Sequence, residues 1–236
     1  QGGALGRRRL YAAAGQRGYA AANASLYKNL SYNVLTDFVP LASVGDAPQV
    51  LSVRTGLPAR TFDEFVAYAK ANQGTMNFGT AGVGSGSFLG GILLNAAIGV
   101  NILPIHYRGA AQATADVMAG HIDYTVESSS TAVSSISSGK IKGLVVLRGE
   151  RVKVLPGVQA TSETSYPDLH YDIWNMVLVP KGVPAAVAEQ LNASLNQVLH
   201  SPEIQARYAE MGVAVPTAEH RSLKARPNCC NRRWRA

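Results

Sequence analysis

Cysteine is nearly absent from this chain of 236 residues. Cys229 and Cys230 are its only two, adjacent and close to the C-terminus. Neighbouring thiols cannot form a metal site by themselves and are badly placed for an ordinary disulfide. A body without cysteine suits an oxidising compartment. Long apolar runs are missing too: no stretch of eighteen apolar residues occurs, so no segment is expected to insert into a membrane. Catalytic signatures are equally scarce. The histidines at 106, 121, 170, 200 and 220 lack the H-x-x-x-H spacing of a metal helix, and no G-x-S-x-G frame is present. No carboxylate pair stands out. The chain is therefore expected to bind no metal, use no cofactor and not to be an enzyme.

A balance of charge is also lacking. Lys and Arg number 22 against 15 Asp and Glu, a formal net charge of +7. The excess sits at the ends. Residues 221–236 hold six Lys/Arg and no acid, and without them 16 basic residues face 15 acidic ones. Arg7, Arg8 and Arg9 form a second run. A nucleic-acid reader carries its cations on the fold, with aromatics among them, so no nucleic-acid partner is expected. The chain begins with Gln1 rather than Met, which reads as a processed, trimmed or incomplete product.

What is present alternates between short β-rich runs and amphipathic stretches, the pattern of an α/β fold. "FVPLASVG" and "PQVLSVR" read as two strands. "TFDEFVAYAKAN" opens with Thr61 and Glu64 at capping-box spacing and carries Phe62, Phe65, Val66 and Ala69 on one face. Strands "TMNFGT", "NILPIHY", "IDYTVES" and "IKGLVVL" then alternate with helices, a series that predicts a mostly parallel sheet. After the strand "YDIWNMVLVP" come two helices. The first has Val187, Leu191, Leu195, Val198 and Leu199 on one face. The second has Ser201 as N-cap, Pro202 at its first position and Gly212 at its end.

Three junctions carry candidate chemistry. Asn77–Gly91, "NFGTAGVGSGSFLGG", holds six glycines between a strand and a helix. Free N–H groups and the positive end of a helix dipole would converge there, with hydroxyls from Thr80, Ser85 and Ser87. No Walker lysine follows, and Gly82-x-Gly84-x-Gly86 is not a dinucleotide fingerprint, which leaves a carboxylate as the natural anion. The bland alternative is a turn whose glycines let helix meet strand. At the second junction, Tyr107 and Arg108 precede a helix; Arg108 would grip a carboxylate, or be a surface arginine or form an ion pair with Asp116 or Asp123. At the third, Glu127 and Ser128 end a strand. Glu127 would orient waters or a ligand amine, or be an exposed loop acid.

These segments together resemble the solute receptors of tripartite tricarboxylate transporters, the Bug receptors. The marks are "LYKNLSYN" with "DFVPLASV", "LPARTFDEF", "NFGTAGVGSGSFLGG", "HYRGAAQATADVMAGHID", "ISSGKIKGLVVL", "LPGVQATSE", "YDIWNMVLVPKGVP" and "LNASLNQVLHSPEIQARYAEMG", in consistent order over about residues 23–217. The resemblance implies a two-domain periplasmic-binding-protein (type II, Venus-flytrap) α/β fold. Residues 1–51 and 173–236 would form domain 1, and 52–172 domain 2. It implies an extracytoplasmic, periplasmic monomer that captures a small carboxylate and delivers it to membrane transporter subunits; some members signal instead. By that resemblance, Thr80, Gly82, Ser85, Gly86 and Ser87 form a carboxylate cradle, with Tyr107, Arg108, Glu127 and Ser128 on neighbouring loops. Trp174 and Asn175 would sit where the chain crosses back. Family members begin with a strand and glycine-rich loop and end with an amphipathic helix. The first is absent here and the second is replaced by an arginine-rich tail, so the ends read as truncated or frame-shifted, domain 1 as incomplete, and ligand affinity as reduced or lost. A small enzyme using the glycine loop as an anion site is the reading from another class.

Overall fold

"FVPLASVG" and "PQVLSVR" fold as one strand. In the computed structural model, which describes residues 13–16, 29 and 31–217, strand β2 runs unbroken from Phe38 to Arg54. Gly45, Asp46 and Pro48 read locally as turn residues, but the ladder absorbs them. Its register shifts between Pro40 and Ala42 and again between Ser43 and Gly45, the bulges that let a strand accommodate an unpaired residue. The basic runs at Arg7–Arg9 and 221–236 and the two cysteines lie outside the described residues.

The remaining elements are β1 (Ala13–Gln16), α1 (Val34–Asp37), α2 (Phe62–Asn72), β3 (Asn77–Thr80), α3 (Gly86–Ile98), β4 (Leu103–His106), α4 (Ala110–Ala119), β5 (Tyr124–Ser128), α5 (Ser129–Ser137), β6 (Ile141–Val146), β7 (Gln159–Ala160), β8 (Asp172–Pro180), α6 (Ala185–His200) and α7 (Pro202–Glu210). The strand order is β1-β8-β2-β5-β3-β4, with β6 also on β2 and β7 on β6. The sheet is mixed rather than mostly parallel. β3 runs parallel to β4 and β5, and β6 to β7, whereas every ladder of β2, and that of β1 with β8, is antiparallel. Alternation of strands and helices along a chain does not encode strand direction, and the pairs that break the parallel rule join residues far apart in sequence.

Partners of β2 change halfway. Phe38–Pro48 pairs with β8. Gln49–Val53 pairs with β5 on one side and Val50–Arg54 with β6 on the other. Two apolar clusters follow this division. The larger surrounds the second half of β2, with Leu51, Val53, Phe62, Phe65, Phe78, Leu94, Ile98 and Tyr124 among its members. Phe78 stacks on Tyr124 at 5.3 Å and Phe65 meets it edge-on at 5.2 Å. The Tyr124 hydroxyl donates to Asn95 Oδ1 at 2.6 Å, and Asn95 Nδ2 donates to the Ile102 carbonyl at 3.0 Å, so this buried polar pair is satisfied. The smaller cluster, Leu41, Val179 and Ala188, joins the first half of β2 to β8 and α6. Here the expected helix face is only partly covered: Leu199 is buried, but Leu191 and Val198 are 38% and 53% exposed.

Local signals act as their chemistry dictates. Thr61 Oγ1 accepts from Glu64 N at 3.2 Å, while the Glu64 carboxylate reaches back to Arg60 N at 2.6 Å, one residue beyond the capping-box position. Ser201 Oγ accepts from Ile204 N, and α7 closes on Met211 with Gly212 next, at φ +64°. Gly91 lets α3 lie against the aromatic core, because a Cβ there would sit 2.3 Å from Phe78 Cε2. Gly91→Ala should destabilise the protein by about 1–3 kcal/mol in urea unfolding, despite alanine's better helix propensity. Gly74→Ala, where an added Cβ meets nothing within 4 Å, should change stability by less than about 0.5 kcal/mol. Equal effects at the two sites would contradict the close approach of α3 to Phe78.

Candidate functional site

Thr80 ends β3, and the chain turns through Gly82 and Gly84, at φ +105° and +77°, before α3 begins. Such angles disfavour any residue with a Cβ. The hydroxyls around this turn hold the loop itself. Thr80 Oγ1 accepts from Gly82 N at 3.2 Å and shares a 2.7 Å bond with His106 Nδ1. Ser87 Oγ accepts from Ala81 N at 2.8 Å and lies 3.1 Å from Ser85 Oγ, which caps α3 by accepting from Phe88 N. The first N–H groups of the helix have no acceptor within it and face outward.

They face a cavity of about 480 Å³. Ser85, Gly86 and Ser87 line it from the start of α3, Ala110 from the start of α4, and Ser128 and Ser130 from the start of α5. Three helix N-termini thus converge on one space, each carrying roughly half a positive charge. The opposite wall is sheet. Gly45 and Ala47 of β2 pair with Asn175 and Ile173 of β8, and Gln49 pairs with Ser128 of β5; all six line the cavity. Tyr208, Met211 and Val213 also line it. This last segment is tied on both sides. Asp46 and Ala214 exchange backbone bonds at 3.0 and 2.9 Å, and Ser129 Oγ donates to the Gly212 carbonyl at 3.1 Å.

No Lys, Arg or His lines the cavity among the described residues. Among the described residues the one carboxyl that lines it is that of Glu127, 1% exposed rather than on an open loop. Its Oε2 accepts from Thr114 Oγ1 at 2.9 Å and Thr131 Oγ1 at 3.0 Å, while Oε1 has no hydrogen-bond partner among the described residues. Burial pushes this carboxyl above its ordinary value; the nearby hydroxyls of Ser52, Thr114 and Thr131 oppose the shift.

Of the residues singled out in the sequence, the structure brings Ser85, Gly86, Ser87, Glu127, Ser128 and Asn175 together in this cavity. Thr80 and Gly82 lie behind it and shape the turn. Tyr107 does not line it: its hydroxyl donates to Asp116 Oδ2 at 2.5 Å, and burial together with that acid pushes its pKa up to about 12. Arg108 is exposed, its backbone N–H bonded to Gln112. Both acids considered as its partners are engaged elsewhere, Asp116 with Tyr107 and His121, Asp123 with Arg54. Trp174 is buried and alternates with Ile173 and Asn175, so it takes the other face of β8. Gln49, Thr131 and Tyr208 were missed. Gln49 alone had a signal, a polar residue inside an apolar strand.

The Glu127 environment has a consequence for stability. A carboxyl whose pKa is higher in the folded protein stabilises the fold while protonated. That contribution is complete below the ordinary value of 4.5 and is lost as pH rises through the raised value. The stability of the wild type relative to Glu127→Gln should therefore fall as pH rises above the ordinary carboxyl value of 4.5, read from urea midpoints. Parallel curves for the two proteins would show that burial does not perturb this carboxyl.

Comparison with known proteins agrees with this architecture. Residues 12–225 match the model of the tripartite tricarboxylate transporter family receptor. A UPF0065 protein from the TAR-I ttuE-ttuC' intergenic region of Agrobacterium vitis is 32% identical over 202 residues, which is 86% of this chain and 58% of that protein. Protein BugT of Bordetella pertussis is 30% identical over 81% of this chain and 59% of its own length. The chain thus spans somewhat over half the length of the curated relatives it matches. Among solved structures, the periplasmic binding protein BugD superposes with a TM-score of 0.89 at 30% identity, covering 95% of this chain and 74% of BugD. MatC from Rhodopseudomonas palustris with bound malate superposes at 0.86 and 26%, covering 95% and 78%. The chain has the mixed α/β fold of periplasmic solute-binding proteins and belongs to the tripartite tricarboxylate transporter receptor family.

Proposed function

We propose that this chain is an extracytoplasmic receptor that captures a small carboxylate in the cavity and passes it to the membrane subunits of a tripartite tricarboxylate-type transporter. The observation that carries the reading is the convergence of three helix N-termini on a space that no Lys, Arg or His lines among the described residues. Preorganised N–H groups and serine hydroxyls favour an anion there without a competing side-chain charge. The cavity also falls in the usual range for small-molecule sites, roughly 300–1,000 Å³. Family membership and the malate held by MatC agree with a carboxylate ligand. No chemistry is required of the site: capture is reversible, with ordered water completing the contacts.

Closure belongs to the same proposal. Residues 52–172 form one domain and the described residues of 1–51 and 173–236 the other; β2 changes partner just before the first boundary, between Pro48 and Gln49, and Leu51 and Ile173 already pack in the larger cluster. The division is supported by the two apolar clusters and by cavity walls from both spans. Ser85, Gly86, Ser87, Glu127 and Ser128 face the ligand from one side and Asn175 from the other. The two sides meet tightly at Gly86, where an added Cβ would lie 1.9 Å from Ile173 Cδ1. Such contacts form when a cleft closes over its ligand.

Calorimetry and thermal shift on the whole chain test the reading. A small carboxylate should raise the melting temperature with dose, because a ligand that binds only the native state stabilises it by mass action. Ser85→Ala/Ser87→Ala should weaken that acid about tenfold. Gly86→Ala should weaken it further, and adding Ile173→Ala should restore part of the loss by making room. A chain that melts cooperatively while no small carboxylate shifts its melting would refute receptor function.

A further inference from the structure

Gln49 is fully buried, yet neither its amide nitrogen nor its amide oxygen has a hydrogen-bond partner among the described residues. Buried polar side chains are satisfied in the large majority of cases, so this amide needs an explanation. Its position supplies one. Side chains alternate along a strand, and Gln49 shares a face of β2 with Gly45 and Ala47. It stands opposite Ser128, with Ile173 and Asn175 on the same face of the neighbouring β8. Each of these residues lines the cavity. Gln49 therefore belongs to the cavity floor, where β2 changes partners, with its amide buried there. Glu127, another lining residue, adds a buried carboxyl oxygen, Oε1, that has no hydrogen-bond partner of ordinary geometry among the described residues, with the Ser52 hydroxyl nearby.

We infer that the cavity selects a small monocarboxylate whose other end carries an uncharged group that both donates and accepts hydrogen bonds, a hydroxyl or carboxamide, and that Gln49 is the residue that selects it. The inference rests on the receptor reading above and specifies its ligand. The carboxylate takes the helix N-termini, and the remaining end group must answer the floor. A hydroxyl accepts from Gln49 Nε2 and donates to Gln49 Oε1 or to Glu127. A methyl group leaves the whole amide unsatisfied. An ammonium group offers only donors, so Nε2 stays without an acceptor. A second carboxylate offers only acceptors. It would be desolvated beside Glu127 with no lining cation among the described residues to balance it, and an unpaired buried charge is strongly disfavoured.

A matched series of four-carbon acids decides the matter, with affinity read by calorimetry on the full chain: butanoate, 3-hydroxybutanoate, 4-hydroxybutanoate, succinamate, 4-aminobutanoate and succinate. At least one hydroxy acid or succinamate should bind about tenfold or more tighter than butanoate, 4-aminobutanoate and succinate, since a site built to hydrogen-bond a group rejects analogues that lack it. Gln49→Met keeps the length of the side chain and removes its polar atoms. It should hold butanoate within about threefold of the wild type and erase the preference over butanoate. Tightest binding of succinate, 4-aminobutanoate or butanoate by the wild type overturns the inference and leaves the receptor reading standing. So does a preference that survives Gln49→Met. No binding of any acid overturns both. The wild-type series decides alone if the variant fails to fold.

Discussion

One strand holds this molecule together. β2 crosses the structure as seventeen continuous residues, and its hydrogen bonds pass from β8 to β5 and β6 between Pro48 and Gln49. Its two halves sit in different apolar clusters, so each half is fixed by its own burial. The junction between them is fixed by covalent continuity. Gly45, Ala47 and Gln49 thereby face the cavity in one row, aligned by the pleat rather than by a loop. A site built on a strand inherits the strand's precision. Pro48, which has no N–H to donate, stands at the change of partner, where a proline costs the ladder least.

Against that row stand three helix ends. Their arrangement solves an electrostatic problem without salt bridges. A lysine or arginine in the cavity would have to be desolvated in the empty protein, whereas backbone dipoles are already fixed by the helices and lose little when water leaves. The hydroxyls of Thr80, Ser85 and Ser87 serve mainly to hold the loop that aims those dipoles, as their bonds to Gly82, Phe88 and Ala81 show. Glu127 belongs to the same economy of charge. Shielded by Thr114 and Thr131, it is buried beside the anion site with its pKa raised, so neutrality costs it little. The segment Met211–Ala214 closes the arrangement by bonding to β2 and to α5 at once.

Much of this was legible along the chain. The glycine loop, the hydroxyls of Ser85 and Ser87, the helix starts after Arg108 and Glu127 and the acid at Glu127 itself all follow from spacing and residue type. Arg108 illustrates the reverse. A guanidinium near an expected anion site is a natural choice from composition, yet the turn after β4 carries it to the surface. Trp174 and Asn175 are adjacent, but alternation sends one into the core and the other to the cavity. Tyr208 carries no local mark of function, and Gln49 only that of a polar residue inside an apolar strand. Their place in the lining depends on which strand neighbours β2 and on where α7 docks.

The sequence by itself determined the elements, most of their boundaries, the caps and the convergence of small polar residues at strand-to-helix junctions. Those properties arise from contacts within a few residues: side-chain oxygens reaching the next turn, glycines adopting positive φ, apolar faces repeating with the helical period. The tertiary structure decided that β2 is one strand and not two, that the sheet is mixed, and which side chains share the cavity. These depend on ladders between residues more than a hundred positions apart, such as Gly45 with Asn175, whose energies no local pattern encodes. Burial then gave Gln49 and Glu127 their character, because a polar group becomes consequential only when the fold removes its water and leaves its partner to be supplied.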